Sequence, residues 1–447
     1  MSVPRYDSYR DSGVEWLGEV PSHWAVVPLK AATSCNDEVL GEASDPSIEI
    51  EYIEISDVSP ELGVTGSSVY AFSEAPSRAR RIVRDGDVIV STVRTYLRAI
   101  APIVRPPANL IASTGFAVIR PRRIAQGYLG YLFLAEYLIA EIISRSTGVS
   151  YPAINASEIM RLMVPLPSLP EQAAIAAFLD RETAKIDALV EEQRRLIALL
   201  AEKRQAVISH AVTKGLDPTV PMKDSGVEGL GEVPAHWEVT PLMRLTAPGR
   251  AIMYGIVLPG PDIGAGVPIV KGGDVRPQRL RLELLCYTTP EIEAPFARAR
   301  LLPHDIVYSI RGSIGDAELV PLELEGANIT QDVARISPYN AASSRWLLYV
   351  MKSKAVFSQL EHRSMGAAVR GINIFDLKRA RIPVPRLAEQ KLISAFLDAE
   401  TRRIDALVVE ASAAITLLQE RRAALISAAV TGKIDVRGLV PAVEEAA

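Results

Sequence analysis

Leu169–Asp217 reads LPEQAAIAAFLDRETAKIDALVEEQRRLIALLAEKRQAVISHAVTKGLD, and Leu387–Asp435 reads LAEQKLISAFLDAETRRIDALVVEASAAITLLQERRAALISAAVTGKID, the same block 218 residues later. From Ile175 the first copy steps by four and three residues through Leu179, Glu182, Ile186, Leu189, Gln193, Leu196, Leu200, Lys203 and Val207. The second copy repeats the stripe from Ile393 through Leu397, Ile404, Leu407, Leu418 and Leu425. A 3.5-residue spacing sustained over several heptads predicts coiled-coil packing. Each helix then runs about 40 residues, roughly 60 Å at 1.5 Å per residue. Pro170 suits a helix start, and Gly215 and Gly432 suit a helix stop. One chain supplies both helices and the segment between them must return, so an intramolecular antiparallel pair is expected. The stripe turns polar at the same places in both copies, Glu182/Glu400 and Lys203/Arg421. In an antiparallel pair these acids face these bases and set the register, or else they are tolerated at partly exposed positions.

A shorter block repeats upstream. Asp11–Leu29 reads DSGVEWLGEVPSHWAVVPL and Asp224–Leu242 reads DSGVEGLGEVPAHWEVTPL, with Gly229 where the first copy has Trp16. Gly, Pro and aromatic residues make it an irregular strap. His23-Trp24 and His236-Trp237 read as a packed indole beside a surface histidine, since no ligand recurs at metal-site spacing. The repeats cut the chain into a strap (1–30), an insert (31–167), a helix (168–217), a second strap (218–243), a second insert (244–385), a second helix (386–437) and a tail (438–447). The frame is kept while the inserts diverge, which suggests a protein that reads two different things at a fixed separation.

At 447 residues the chain holds two or more domains, each with its own core. No apolar run spans a membrane and the N-terminus lacks a signal-peptide core, which with two unmatched cysteines, Cys35 and Cys286, points to the cytoplasm. The net charge of −4 conceals segregation. Residues 37–74 hold ten acids and no base, while 78–123 hold ten arginines against Asp85 and Asp87. Arg244–Arg386 carries 19 Lys+Arg against 13 Asp+Glu. Local basic faces of this kind engage phosphate whatever the net charge, although the arginine bias equally fits genome composition.

Both inserts alternate short β-branched runs with Gly, Pro, Asp and Asn, and each has one helical stretch, Tyr128–Ser144 and Ser344–Leu360. The fold class expected is α+β: two globular domains on a pair of long antiparallel coiled-coil helices, with an internal pseudo-twofold repeat. A faint likeness links the inserts: Gly86-Asp87 through Ser91 with Arg94 matches His304-Asp305 through Ser309 with Arg311. Catalytic signatures are missing. The only Gly-Lys pair, Gly432-Lys433, is not part of a phosphate loop, and there is no dinucleotide fingerprint, zinc-protease helix, Cys pair or nuclease carboxylate cluster.

Taken together, the straps and the junctions VPLPSLPEQAAIAAFLDRETAKID (Val164–Asp187) and IPVPRLAEQKLISAFLDAETRRID (Ile382–Asp405) resemble the specificity subunits of type I restriction-modification systems over essentially the whole chain. The resemblance implies that each insert is a target recognition domain for one half of a bipartite, asymmetric double-stranded DNA site, with the helices as the spacer. It implies two modification subunits that carry S-adenosylmethionine and methylate adenine, and a separate restriction subunit that uses ATP as a motor-nuclease. The chain itself would hold no cofactor or metal and perform no catalysis. Candidate DNA contacts are Ser91, Arg94, Ser150 and Tyr151 in the first insert, and Lys271, Ser309, Arg311 and Arg370 in the second. A scaffold for two protein partners and a self-sufficient methyltransferase or nuclease are the competing readings.

Overall fold

The repeated blocks form two long helices, Leu169–Lys214 and Leu387–Val430, in a computed structural model that describes residues 4–339, 341–361 and 371–439. Both helices pass through two compact units, Met1–Arg194 with Ser412–Ala447, and Arg195–Ala411. Each unit therefore packs the first half of one helix with the last half of the other. The cross-helix ion pairs are Asp187–Arg422 (2.9 Å) in one unit and Asp405–Arg204 in the other, and the pairs are copies of each other at an offset of 218. Their antiparallel sense is the expected one.

The seam differs from the expected one in one of its two positions per heptad. Leu179, Ile186 and Leu200 are buried as the spacing predicts, but Thr183 and Val190 replace Glu182 and Leu189, and Leu189 is 44% exposed. Thr183 can be buried because its hydroxyl donates to the Leu179 carbonyl at 2.7 Å. Glu182 instead pairs within its own helix, with Arg181 and Lys185. The acid–base contacts expected of Glu182, Glu400, Lys203 and Arg421 are thus made by Asp187, Asp405, Arg204 and Arg422.

The two residues that follow each helix-opening Leu-x pair tie three segments together. Glu171 Oε2 lies 3.2 Å from His23 Nε2, and Glu389 lies 3.1 Å from His236 Nε2 while accepting from Trp237 Nε1 at 3.0 Å. The strap histidines are therefore partners of the helix heads. Gln172 accepts from the Ala125 N–H (2.7 Å) and donates to the Pro167 carbonyl (2.8 Å). Gln390 repeats this with Ser343 (2.8 Å) and Pro385 (3.0 Å). Ala125 and Ser343 begin the helices Gln126–Phe133 and Ser344–Lys352, so the glutamines fix each insert to the frame. About two turns further along each long helix, Tyr131 donates to Asp180 (2.7 Å) and Tyr349 to Asp398 (2.6 Å).

Each strap is a small antiparallel hairpin, Tyr9–Asp11 on Glu19–Pro21 and Met222–Asp224 on Glu232–Pro234. Trp24 and Trp237 are buried at the helix ends, where Gly432 and Gly215 adopt left-handed φ of 73° and 76°. A Cβ at Gly432 would lie 3.1 Å from Trp24, so the helix stop is also the seat of the indole. Trp16 stacks on Tyr137 (5.0 Å between centroids). The second copy has Gly229 and Ala355 at these places, so the stack is lost as a pair and no contact is left half made.

Necks join inserts to frame: Ala25–Pro28 pairs with Met163–Leu166, and Glu238–Pro241 with Arg381–Val384. In the first insert an antiparallel sheet runs Ile100–Pro102, Val88–Ser91, Phe116–Pro121, Thr33–Cys35. A second sheet contains the parallel pair Glu49–Ile53 and Leu110–Ser113. The second insert repeats the plan with Ala317–Leu319, Ile306–Ser309, Val333–Ile336 and Met253–Tyr254, and the parallel pair Val267–Val270 and Asn328–Ile329. Val88–Val90 and Ile306–Tyr308 are apolar at every position because both faces are covered. Val88 and Val90 face the helix-side core while Ile89 faces the other sheet, and Ile306, Tyr308 and Val307 divide in the same way. The expected single helices are each broken in two, Gln126–Phe133 then Glu136–Ser144 with a bend of 58°, and Ser344–Lys352 then Lys354–Glu361. The bend lets Leu138, Ile139 and Ile142 rejoin the core that holds Leu129 and Phe133. No single described helix is long and apolar enough to cross a membrane.

Gln172→Ala leaves a buried N–H and a buried carbonyl without partners. Urea unfolding should show a loss of about 2–3 kcal/mol, with a similar loss for Gln390→Ala. The Asp187–Arg422 pair is partly exposed, so a double-mutant cycle should return a coupling below about 1 kcal/mol that vanishes in high salt.

Candidate nucleic-acid interface

Ser91 and Ser309 end the two central strands, and they are 3% and 0% exposed. Each hydroxyl donates to the carbonyl two residues on, Ser91 to Val93 at 2.6 Å and Ser309 to Arg311 at 2.9 Å. A single bridge then anchors each loop, Val93 to Ala153 and Arg311 to Gly371. These serines hold the first turn of a loop and do not present their hydroxyls to solvent. The aligned residues are therefore Val93 and Arg311, with Arg94 one step beyond.

In the first insert the loop after Ser91 brings Arg94, Ser150 and Tyr151 to one exposed rim. Arg94 and Arg98 both adopt left-handed backbone, φ 51° and 52°, on either side of the 3-10 turn Thr95–Leu97. Each such residue costs roughly 1–2 kcal/mol when it is not glycine. The turn is held by the Arg94 N–H on the Pro152 carbonyl (2.7 Å), by Thr95 on Ser146 (2.7 Å) and by Arg98 on Glu136 (2.6 Å). The Arg94 guanidinium lies 4.7 Å over the Tyr151 ring and has no carboxylate partner among the described residues. A cation stacked on an exposed aromatic is a surface that can meet both a phosphate and a base edge.

In the second insert Arg311 is exposed on the matching loop. Lys271 opens the neighbouring turn, where Gly272 lies so close that a Cβ there would meet Arg311 O at 3.1 Å and Ser309 Oγ at 3.3 Å. Lys271, Ser309 and Arg311 thus share one cluster, but the Lys271 ammonium turns away to donate to Cys286 Sγ (3.1 Å). Arg370 lies outside the described residues. Sequence reading passed over Tyr96, Leu97 and Val149, which stand exposed on the first rim. The Arg-Thr-Tyr-Leu-Arg run was the available signal, two apolar residues enclosed by cations in a loop.

Much of the segregated charge cancels inside the inserts. Arg84 and Arg120 pair with Glu38, Arg120 also binds the fully buried Asp87 (2.8 Å), and Arg122 binds Asp37 (2.5 Å). The Arg84 and Arg120 guanidiniums hold the Glu38 carboxyl down at about 2. The second insert uses Arg250 on the buried Asp305 (2.6 Å) and Arg300 on the buried Glu293 (2.6 Å) in the same way. Arg335 is buried among backbone carbonyls, including those of Arg300 (3.2 Å) and Ala251 (3.1 Å), and burial lowers its pKa to about 10. The basic stretches are therefore partly structural, whereas Arg94 and Arg311 stand exposed on the loops. Burial pushes the free Cys35 thiol up to about 11. No group of three or more potential metal ligands occurs among the described residues.

A family model described as the type I restriction modification DNA specificity domain matches residues 49–197 and 293–416, more than half of the chain. The type I restriction enzyme EcoBI specificity subunit of Escherichia coli is 27% identical over 309 residues, 68% of this chain and 65% of that one, just under two thirds of its length. A putative type I restriction enzyme MjaX specificity subunit of Methanocaldococcus jannaschii is 25% identical over 94% of this chain and 96% of its own. Among solved structures, a chain from a study of complex assembly and conformational transition in the type I R-M system superposes with a TM-score of 0.64, at 25% identity, over 92% of this chain and 98% of that one. The HsdS subunit from Thermoanaerobacter tengcongensis, at 24% identity and a TM-score of 0.50 over 93% of this chain and 98% of that one, shares the fold.

Ser309→Ala frees the Arg311 carbonyl from its only side-chain donor among the described residues. Hydrogen exchange should speed up in residues 310–316, with about 1–2 kcal/mol lost in thermal unfolding. Glu38 contributes to stability above the ordinary carboxylate range, and this contribution is lost as pH falls through its lowered folded value. The melting-temperature gap between wild type and Glu38→Gln, open at neutral pH, should therefore close as pH falls to about 2.

Proposed function

The chain belongs to the family of type I restriction-modification specificity subunits, which carry DNA-recognition domains, and from this we propose that each of its two inserts reads one half of a bipartite, asymmetric double-stranded DNA site. The observation that carries this reading is the loop platform. Both inserts end a buried central strand in a serine that clamps a solvent-facing loop, and the clamped loops differ in sequence, Thr-Val-Arg-Thr-Tyr-Leu-Arg against Ile-Arg-Gly-Ser-Ile-Gly-Asp. One scaffold with unlike tips suits unlike half-sites.

In this reading the long helices fix the spacer, and two modification subunits bound to the frame use S-adenosylmethionine to methylate adenine in each half-site. A restriction subunit that consumes ATP completes the complex. The chain itself directs these partners and catalyses nothing. Arg94, Ser150, Tyr151, Lys271, Arg311 and Arg370 are the proposed DNA contacts, with Ser91 and Ser309 acting through the loops they clamp.

Single-molecule methylome sequencing of cells that express the neighbouring modification subunit, with and without this chain, tests the proposal. A bipartite adenine motif should appear only with the chain, and a soluble complex that yields no motif would overturn the reading. Replacing Arg244–Arg386 with another member's insert should change one half-site only. Removing a heptad from a long helix should alter the spacer and leave both half-sites intact, since it moves a reader by about 10 Å. Arg94→Ala or Arg311→Ala should cost about 1–3 kcal/mol and relax one position if that guanidinium reads a base, or weaken all sites alike if it binds phosphate.

A further inference from the structure

Among the described residues, the first rim carries a feature that the matching loop of the second insert lacks. Tyr96 is 53% exposed and Leu97 42%, side by side at the apex of the turn between the two left-handed arginines. The base of the turn is fixed: Thr95 is buried, the Leu97 N–H donates to the Arg94 carbonyl (2.9 Å) and the Ser91 N–H to the Ala99 carbonyl (2.9 Å). Val149 and Tyr151 stand exposed on the facing loop, with Arg94 between the two loops. An apolar tip that is rigid at its base and bordered by a cation is not a surface designed for water. The matching loop of the second insert, residues 310–316, exposes no large apolar side chain. Its left-handed positions are the glycines Gly312 and Gly315, and Gly315 packs against the Phe357 ring.

We propose that Tyr96 and Leu97 form a wedge that enters the base stack of duplex DNA at the half-site read by the first insert, while the second insert reads its half-site without such a wedge. The inference rests on the DNA-reading function above and adds an asymmetry to it. Leucine is suited to partly unstacking a base step, and tyrosine has the flat face to cover the base so exposed. Arg94, stacked on Tyr151, lies where it can neutralise the phosphates crowded by the resulting kink. The left-handed arginines hold the two apolar side chains outward in the unbound protein, so the wedge is ordered before DNA arrives.

The test uses the full chain and duplexes carrying its bipartite site, as identified by methylation mapping, with the fluorescent base 2-aminopurine placed singly across both half-sites. No modification subunit or S-adenosylmethionine is present, so base extrusion by a methyltransferase cannot contribute. Binding should raise the fluorescence severalfold at one step of the half-site that survives replacement of the second insert, and nowhere in the other half. Tyr96→Ala with Leu97→Ala should abolish that signal and weaken binding to the site by about tenfold, whereas Tyr96→Phe with Leu97→Met should keep both. Unchanged thermal unfolding of the alanine variant would show that it folds. Specific binding with no fluorescence rise, or with a rise that survives the alanine variant, would overturn the wedge and leave the DNA-reading function standing. Failure of methylation mapping to find a chain-dependent site would overturn both.

Discussion

Everything in each unit is indexed to two adjacent side chains at the head of a long helix. Glu171 and Glu389 hold the strap, and Gln172 and Gln390 hold the insert; Glu171 and both glutamines are almost wholly buried, while Glu389 is partly exposed. A glutamine amide can do this because it donates and accepts in one plane, joining the carbonyl that ends the insert to the N–H that begins the insert's helix. The carboxylate sits where the helix dipole favours it, in the first turn. Shifting either residue along the helix by one position would turn it about 100° away from its partner. The fold therefore tolerates almost complete divergence in the inserts and very little at these positions.

The frame was legible because its signal is periodic and duplicated. Two copies of the EQ-x-x-I-x-x-F-L-D run and two of the strap fixed helix and repeat, while the strap, read as irregular, is a hairpin. The seam was only half legible: Leu179, Ile186 and Leu200 follow from spacing, but a buried Thr183 beside a solvated Glu182 depends on a hydroxyl finding its own helix carbonyl, which no hydropathy pattern records. The strap histidines were read as bystanders because their partners, Glu171 and Glu389, lie about 150 residues away in sequence.

The recognition rims were legible in outline alone. Ser91 and Ser309 were read as direct contacts, but their hydroxyls are spent on backbone carbonyls and reach the proposed rims only through the loops they hold. The charge segregation also meant something different from its first appearance. A block of acids followed by a block of arginines is what a sheet needs when Glu38, Asp37 and Asp87 must meet Arg84, Arg120 and Arg122 across neighbouring strands. What faces outward is decided by left-handed backbone at Arg94 and Arg98 and by the approach of Gly272 to Ser309, and both depend on contacts distant in sequence.

The exchange of helix halves bears on how the chain is made. Residues 195–411 form one uninterrupted unit, whereas the other unit needs Ser412 onward to finish a core begun near the N-terminus. Tyr128 waits for the Val430 carbonyl, 302 residues later, and Tyr9 for that of Gly432. During synthesis the amino-terminal unit is thus the last to close, contrary to the usual order. For much of translation its strap and helix-side core face solvent or a chaperone, waiting for the final turns of the second helix.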